Sequence, residues 1–160
     1  MMLRYLRIAC AATALIPLAI SAQAADYSPE AAATKAYYEK ALPVFKQLGT
    51  DAALKDFNTP KKWFQDQYGL HVTVTLNDST LVADSGFPEL VGMKWNEVDD
   101  LDGKALGPEV LKAVAKSPEG AVVQLRFAVP NSTHAGHADG YCSQADAGHI
   151  LCGWTEVVER

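Results

Sequence analysis

Two cysteines on either side of one turn constrain this chain more than any other feature of its sequence. Asp146-Ala147-Gly148 has the composition of a three-residue hairpin loop, in which the glycine takes the left-handed conformation. Such a loop pairs Ala145 with His149. The register then places Cys142 directly opposite Cys152, close enough for a disulfide bond. The spacing is not C-x-x-C, so it predicts a β-hairpin closed by a structural disulfide rather than a redox centre.

The first residues have the pattern of a secretory signal peptide. Two arginines precede the apolar run IACAATALIPLAI, and small residues frame an A-x-A cleavage site before residue 25. The run is too short to span a bilayer, although a retained N-terminal anchor is the alternative interpretation. We therefore predict that residues 1–24 are a signal peptide and that residues 25–160 form one periplasmic or secreted domain. Export favours the disulfide and removes the third cysteine, Cys10.

The charge of the chain argues against a nucleic-acid partner. The whole sequence carries 14 basic and 19 acidic residues, for a formal net charge of −5. Loss of Arg4 and Arg7 with the signal peptide leaves 12 basic residues against the same 19 acidic ones, a net charge of −7. Because neutralisation of phosphates supplies most non-specific affinity for nucleic acids, an acidic chain without a basic cluster is a poor binder.

Hydrophobic patterns predict an α+β domain with a five-stranded antiparallel sheet. A long N-terminal helix begins at Ser28-Pro29-Glu30 and should kink or restart at Pro43, and a short second helix follows to about Phe57. The segments LHVTVTLND and STLVAD form a hairpin, after which a helix beginning at Pro108 crosses over to AVVQLRFAV and the disulfide hairpin. The first strand alternates, so its polar residues, His71, Thr73 and Thr75, are expected on the less buried side.

The order of several short motifs resembles a single Cache domain, a PAS-like extracytoplasmic sensor module. The resemblance covers about residues 30–158, and the segments that carry it are Leu81-Val82-Ala83, Pro88, Leu90-Val91-Gly92, Asp102-Gly103, Gly120 and Leu151-Cys152-Gly153. Members of this family usually lie between two membrane helices and transmit a signal to the output domain of a chemoreceptor, kinase or cyclase. This sequence has no second apolar segment, so the resemblance implies a free-standing, secreted module without its own output domain.

The resemblance also implies a function and a pocket. Such a domain binds a small organic acid, amino acid or amine between the sheet and the segments that cross it, and it would act through a separate membrane-bound signalling protein. No cofactor is predicted. Arg126 is the first candidate for a binding residue, because a guanidinium group pairs with a carboxylate through two hydrogen bonds. The alternative interpretation is a surface arginine on the exposed side of its strand. The further candidates are aromatic residues and one histidine: Trp63, Tyr68, His71, Trp95 and Tyr141.

A Gly/Ala-rich loop offers a different hypothesis, a periplasmic metal-binding protein. His134, His137 and Asp139 form H-x-x-H-x-D, and imidazole with carboxylate could hold zinc, nickel or copper, with His149 as a further ligand. Exposed loop histidines without a metal are the simpler interpretation of the same residues. A third possibility is a partner-binding domain whose pocket has closed. The sequence has no G-x-S-x-G, phosphate-cradling glycine loop or H-E-x-x-H motif, so we predict that the protein is not an enzyme.

Overall fold

The computed structural model describes residues 29–65, 69–128 and 135–158. Its helices are α1 (Pro29–Leu48), α2 (Thr50–Phe57) and α3 (Leu106–Lys116). Its strands are β1 (Phe64–Gln65), β2 (Leu70–Leu76), β3 (Leu81–Asp84), β4 (Ala121–Ala128), β5 (Ala135–Gln144) and β6 (His149–Val158). Two single-turn 3-10 helices, Pro88–Leu90 and Trp95–Glu97, lie in the connection between β3 and α3. The predicted α+β class, with a helical crossover between two groups of antiparallel strands, is confirmed.

The sheet has six strands rather than the five that the sequence predicts. Its order is β1-β2-β6-β5-β4, and all neighbours are antiparallel. The strand β3 also pairs with β2, so β1 and β3 are both neighbours of β2. The additional strand, β1, is only two residues long and pairs Phe64 with His71 and Gln65 with Leu70. Two residues are too short a stretch for a hydrophobic alternation, so this strand leaves no periodic signal in the sequence.

Helices and loops cover both faces of the sheet, which corrects one expectation. The α1 face is packed by α1 and α2 against apolar side chains such as Val72. The α3 face is packed by α3 and the segment before it against β4, β5 and β6. His71, Thr73 and Thr75 lie on the α3 face and are at most 4% exposed, so the prediction of a less buried side was wrong. Alternation separates the two faces of a strand, but it does not show what covers each of them.

The predicted hairpin is confirmed in register. Cys142 pairs with Cys152 in the β5–β6 ladder, their Cα atoms are 4.1 Å apart, and the two residues form a disulfide. Both cysteines are fully buried, and Ala145 N donates to His149 O at 2.9 Å. The expected left-handed glycine was wrong, because Gly148 does not have a positive φ. Instead, its N–H donates to Asp146 Oδ1 at 2.8 Å, and this side-chain hydrogen bond forms the turn.

The helix α1 differs from the prediction at one position and seats closely on the sheet. It continues through Pro43, and Pro43 is exposed, so water can bond the carbonyl that proline leaves without an N–H partner. At Gly153 of β6, a Cβ atom would lie 2.9 Å from Thr34 O and 3.1 Å from Tyr38 N of the helix backbone. The absence of a side chain at Gly153 therefore allows α1 to approach the sheet.

The predicted signal peptide, residues 1–24, lies outside the described residues. Within the ranges given above, no helix has both the length and the apolar character needed to cross a membrane.

Candidate ligand-binding cavity

A cavity of about 180 Å³ opens on the α3 face, between the sheet and the segment from Asp84 to Leu106. Four aromatic residues line it, Phe87, Trp95, Phe127 and Trp154, together with the aliphatic residues Leu90, Val98, Leu106, Leu125 and Ala138. Charged or titratable side chains also reach it from several elements: His71, Asp84, Asp99, Asp100, Arg126 and Glu156. An apolar cleft with a few polar groups at defined positions is the usual form of a small-molecule site.

One end of the cavity, which we call the buried end, consists of His71, Asp84 and Glu156. His71 is 4% exposed, and its Nδ1 lies 2.9 Å from Gly69 O. A carbonyl oxygen only accepts, so Nδ1 carries a hydrogen and donates to it. The ring is held edge-on to Phe87, with centroids 5.6 Å apart.

Asp84 is 2% exposed and accepts two hydrogen bonds through one of its carboxyl oxygens. Its Oδ1 accepts hydrogen bonds from Gly86 N at 2.9 Å and Phe87 N at 2.8 Å. Among the residues that the structure describes, nothing donates to its Oδ2. Burial raises the pKa of Asp84, and this effect outweighs the attraction of His71 and the two backbone N–H groups. Burial also raises the pKa of Glu156, which the carboxyl of Asp84 raises further and His71 opposes.

We expect the Asp84→Asn variant to melt at a higher temperature than the wild type at pH 7. A raised pKa means that the ionised carboxyl is less stable in the folded protein than in the unfolded chain. This cost is absent below the ordinary carboxyl pKa, grows as pH rises through the raised pKa, and is constant above it. Asparagine retains an Oδ1 acceptor for Gly86 and Phe87. Melting curves from pH 3 to 8 measure the difference, and a gap that is the same at every pH would contradict the assignment.

The apolar wall of the cavity is a pair of indole rings. Trp95 and Trp154 are both buried and meet edge to face, with centroids 5.9 Å apart and an interplanar angle of 76°. Trp154 Nε1 donates to Thr73 Oγ1 at 2.9 Å, which fixes the ring against β2 and satisfies its polar atom. The rings therefore present a rigid aromatic surface to the cavity.

Arg126 lies at the mouth of the cavity rather than inside it. Its side chain is 47% exposed, and Nη1 is 3.0 Å from Asp102 Oδ1. The exposure of Arg126 agrees with the alternative interpretation of a surface arginine, although the residue borders the cavity. Asp100, beside it, accepts from Asp102 N at 2.9 Å and from Lys104 N at 2.8 Å through Oδ1, so this carboxylate shapes the turn.

The structure separates the other predicted ligand-binding residues. His71 and Trp95 line the cavity together with Arg126. Trp63 packs against Phe57 among the residues of the α1 face, and its Nε1 donates to Asp56 Oδ2 at 2.8 Å. Tyr141 is also on that face, 5.0 Å from the ring of Tyr38. The sheet therefore lies between these two aromatics and the cavity. Tyr68 lies outside the described residues.

The predicted metal loop is only partly described, because His134 lies outside the described residues. His137 and Asp139 are alternate residues of β5, and Gln124 Nε2 donates to Asp139 Oδ1 at 2.9 Å. His149 is at the opposite end of the β5–β6 ladder, where its Nδ1 is 2.8 Å from Asp146 Oδ1. Within residues 29–65, 69–128 and 135–158, no group of three His, Cys, Asp or Glu side chains could hold a metal ion.

Sequence reasoning identified only three of the cavity residues, and those it missed include Asp84, Phe87, Trp154 and Glu156. Trp154 and Glu156 are on the same side of β6 as Cys152, so the predicted register already placed all three on one face. The missing information was the pairing of β6 with β2, which sets Trp154 opposite His71. Asp84 could have been suspected from Asp84-Ser85-Gly86, where an aspartate at the end of a strand accepts from the following turn.

Comparison with known proteins gives matches only at the level of structure, since no family model and no curated protein matches the chain. A Cache chemosensory domain solved for its carboxylic acid recognition has a TM-score of 0.53 and 17% identity, and the match covers 78% of this chain and 84% of that one. A methyl-accepting chemotaxis protein from Vibrio parahaemolyticus RIMD 2210633 has a TM-score of 0.58 and 16% identity over 76% and 85% of the two chains. A periplasmic sensor domain of a chemotaxis protein has a TM-score of 0.54 and 17% identity over 78% and 88%.

Each match covers most of the neighbour's chain, and the matches agree with the order of motifs in the sequence. At this level of identity they establish the architecture of the chain. The chain has the fold of a single Cache domain.

Proposed function

We propose that this chain is a sensor-type domain that binds a small metabolite in the cavity of the α3 face. In this proposal the domain is exported after loss of residues 1–24, has no enzymatic activity, and acts through a separate membrane-bound signalling protein. The observation that carries the proposal is the buried end of the cavity, where polar groups of three strands meet beside an aromatic wall. A few polar groups at defined positions in an apolar cleft are what fixes the orientation of a small-molecule ligand.

The size of the cavity limits the ligand. A volume of about 180 Å³ corresponds to roughly six water molecules at liquid density, so a metabolite of about six to ten non-hydrogen atoms would fit. Small organic acids, amino acids and amines are within this range. The neighbour whose structure concerns carboxylic acid recognition supports the general class of ligand.

The described lining of the cavity lacks several of the common covalent nucleophiles. Among its described lining residues there is no serine, threonine, cysteine or lysine. A hydroxyl, thiol or amine nucleophile is therefore missing from this set.

We expect a bulky side chain inside the cavity to abolish ligand binding. The test is a thermal-shift scan against small organic acids, amino acids, amines and divalent metals, with Val98→Phe as the blocked variant. Val98 lines the cavity, whereas Val91 is 40% exposed outside it, so Val91→Phe is the matched control. At a ligand concentration of one hundred times Kd, the wild type and the control should gain about 2.7 kcal/mol, and Val98→Phe should gain nothing.

Either of two results would contradict the proposal. A ligand that stabilises Val98→Phe as much as the wild type binds somewhere else. Stabilisation by divalent metals alone would favour the metal-binding hypothesis for His134, His137 and Asp139.

A further inference from the structure

We infer that the cavity binds a primary ammonium group, which donates hydrogen bonds to Asp84 and Glu156 at the buried end. The inference rests on the function proposed above and names the ligand class within it. The classes predicted from the sequence include carboxylates as well as amines, and the first candidate, Arg126, was chosen for a carboxylate. The charges and the free acceptors of the cavity favour the opposite sign.

The charged side chains among the described lining residues are predominantly acidic. Carboxyl groups come from Asp84, Asp99, Asp100 and Glu156, and the single arginine or lysine among the lining residues is Arg126. Arg126 is exposed at the mouth, and its charge is engaged by Asp102. A carboxylate ligand would therefore enter a field of like charge, whereas a cation is attracted by it.

Among the lining carboxyls that are not exposed, the free acceptors belong to Asp84 and Glu156 rather than to Asp100. Both oxygens of Asp100 already accept from backbone N–H groups, with Arg126 N at 3.4 Å from Oδ2. By contrast, the hydrogen bonds among the described residues include none to Asp84 Oδ2 or to the Glu156 carboxyl. These groups are close enough that the charge of His71 acts on both carboxyls and the charge of Asp84 acts on Glu156.

The number and kind of these acceptors match a primary ammonium group. Such a group has three N–H donors and no acceptor, and its charge strengthens each hydrogen bond to a carboxylate. A carboxylate ligand has only acceptors, so it would leave the oxygens of Asp84 and Glu156 facing its own.

The aromatic residues suit the rest of such a ligand. Phe87 stands edge-on to His71, and the indoles of Trp95 and Trp154 form the neighbouring wall. Ring faces attract cations and also bury alkyl carbon. A short alkyl chain that bears a terminal ammonium group would thus place its charge among the acceptors and its carbons against the rings.

The test compares three probes of equal chain length, n-butylammonium, butyrate and 1-butanol, by isothermal titration of the purified protein at pH 7. We expect butylammonium to bind at least about tenfold more tightly than the other two, the ratio that one charged hydrogen bond supplies. Asp84→Asn and Glu156→Gln should each weaken butylammonium by about tenfold or more and leave 1-butanol unchanged. The retained binding of 1-butanol shows that each variant is folded. Glu97→Gln, an exposed acid of the segment around Trp95 that does not line the cavity, is the control and should change neither.

The outcomes separate this inference from the proposed function. Tighter binding of butyrate, lost in Arg126→Gln, would overturn the ammonium assignment and leave the cavity as a ligand site. Equal affinity for all three probes would also overturn it. Failure of all three to bind, together with a scan in which Val98→Phe changes nothing, would overturn both.

Discussion

Replacement of both hairpin cysteines by alanine is expected to lower the free energy of unfolding by about 3 kcal/mol. The disulfide joins residues 10 apart in sequence, and closing so short a loop removes that amount of conformational entropy from the unfolded chain. Both residues are fully buried in the core of the α3 face, so the lost sulfur atoms add a packing cost to the same change. Denaturation in guanidinium chloride at pH 7 measures the effect.

The control for this variant is the wild type in reductant. Because the bond is buried, a reductant should act only on molecules that have unfolded, so reduction should be slow in water and fast near the denaturation midpoint. A double alanine variant within 1 kcal/mol of the wild type would show that the register of β5 and β6 does not depend on the disulfide.

Trp154→Ala is expected to be the most damaging substitution at the cavity, with a loss of about 3–5 kcal/mol. Trp154 is 3% exposed, packs against Trp95, and satisfies Thr73 through its indole N–H. Its removal leaves Thr73 Oγ1 without that donor and merges the space of the ring with the existing cavity. The same variant should therefore lose butylammonium binding as well as stability, as measured by denaturation and by titration.

Trp63→Ala is the matched control for this substitution. Trp63 is only partly buried and packs on the α1 face, so its removal should cost less stability and leave butylammonium binding intact. Equal losses of binding in the two variants would indicate a general loss of structure, and a Trp154→Ala variant that binds like the wild type would place the site elsewhere.

Local features of the fold were predictable from the sequence because local residues determine them. The turn at Asp146 set the register of Cys142 and Cys152, and the alternation from Leu70 to Leu76 identified β2 with the bounds that the structure has. The helix α3 begins at Leu106, two residues before the predicted Pro108. A proline is tolerated there, because the N–H groups of the first turn have no carbonyl partner within the helix.

The candidate site was much less predictable, because it depends on contacts between distant strands. His71, Asp84 and Glu156 are on β2, β3 and β6, and only the pairing of β2 with both neighbours brings them together. No periodicity within one strand contains that information. The alternation of β4 placed Arg126 on the other face of the strand from Val123 and Leu125, which correctly predicted that it is exposed. The ability of a guanidinium group to pair with a carboxylate had instead suggested a place inside the pocket. For this residue the local pattern was the better guide.

The most direct test of the cavity as the ligand site uses the three indole N–H signals of the protein in a proton–nitrogen NMR spectrum. Trp95 and Trp154 line the cavity, and Trp63 on the α1 face is an internal reference in the same molecule. We expect titration with n-butylammonium to shift the signals of Trp95 and Trp154 together, with one saturation curve, while Trp63 stays in place. A shift confined to Trp63, or three signals that do not move while calorimetry reports binding, would contradict a ligand site in this cavity.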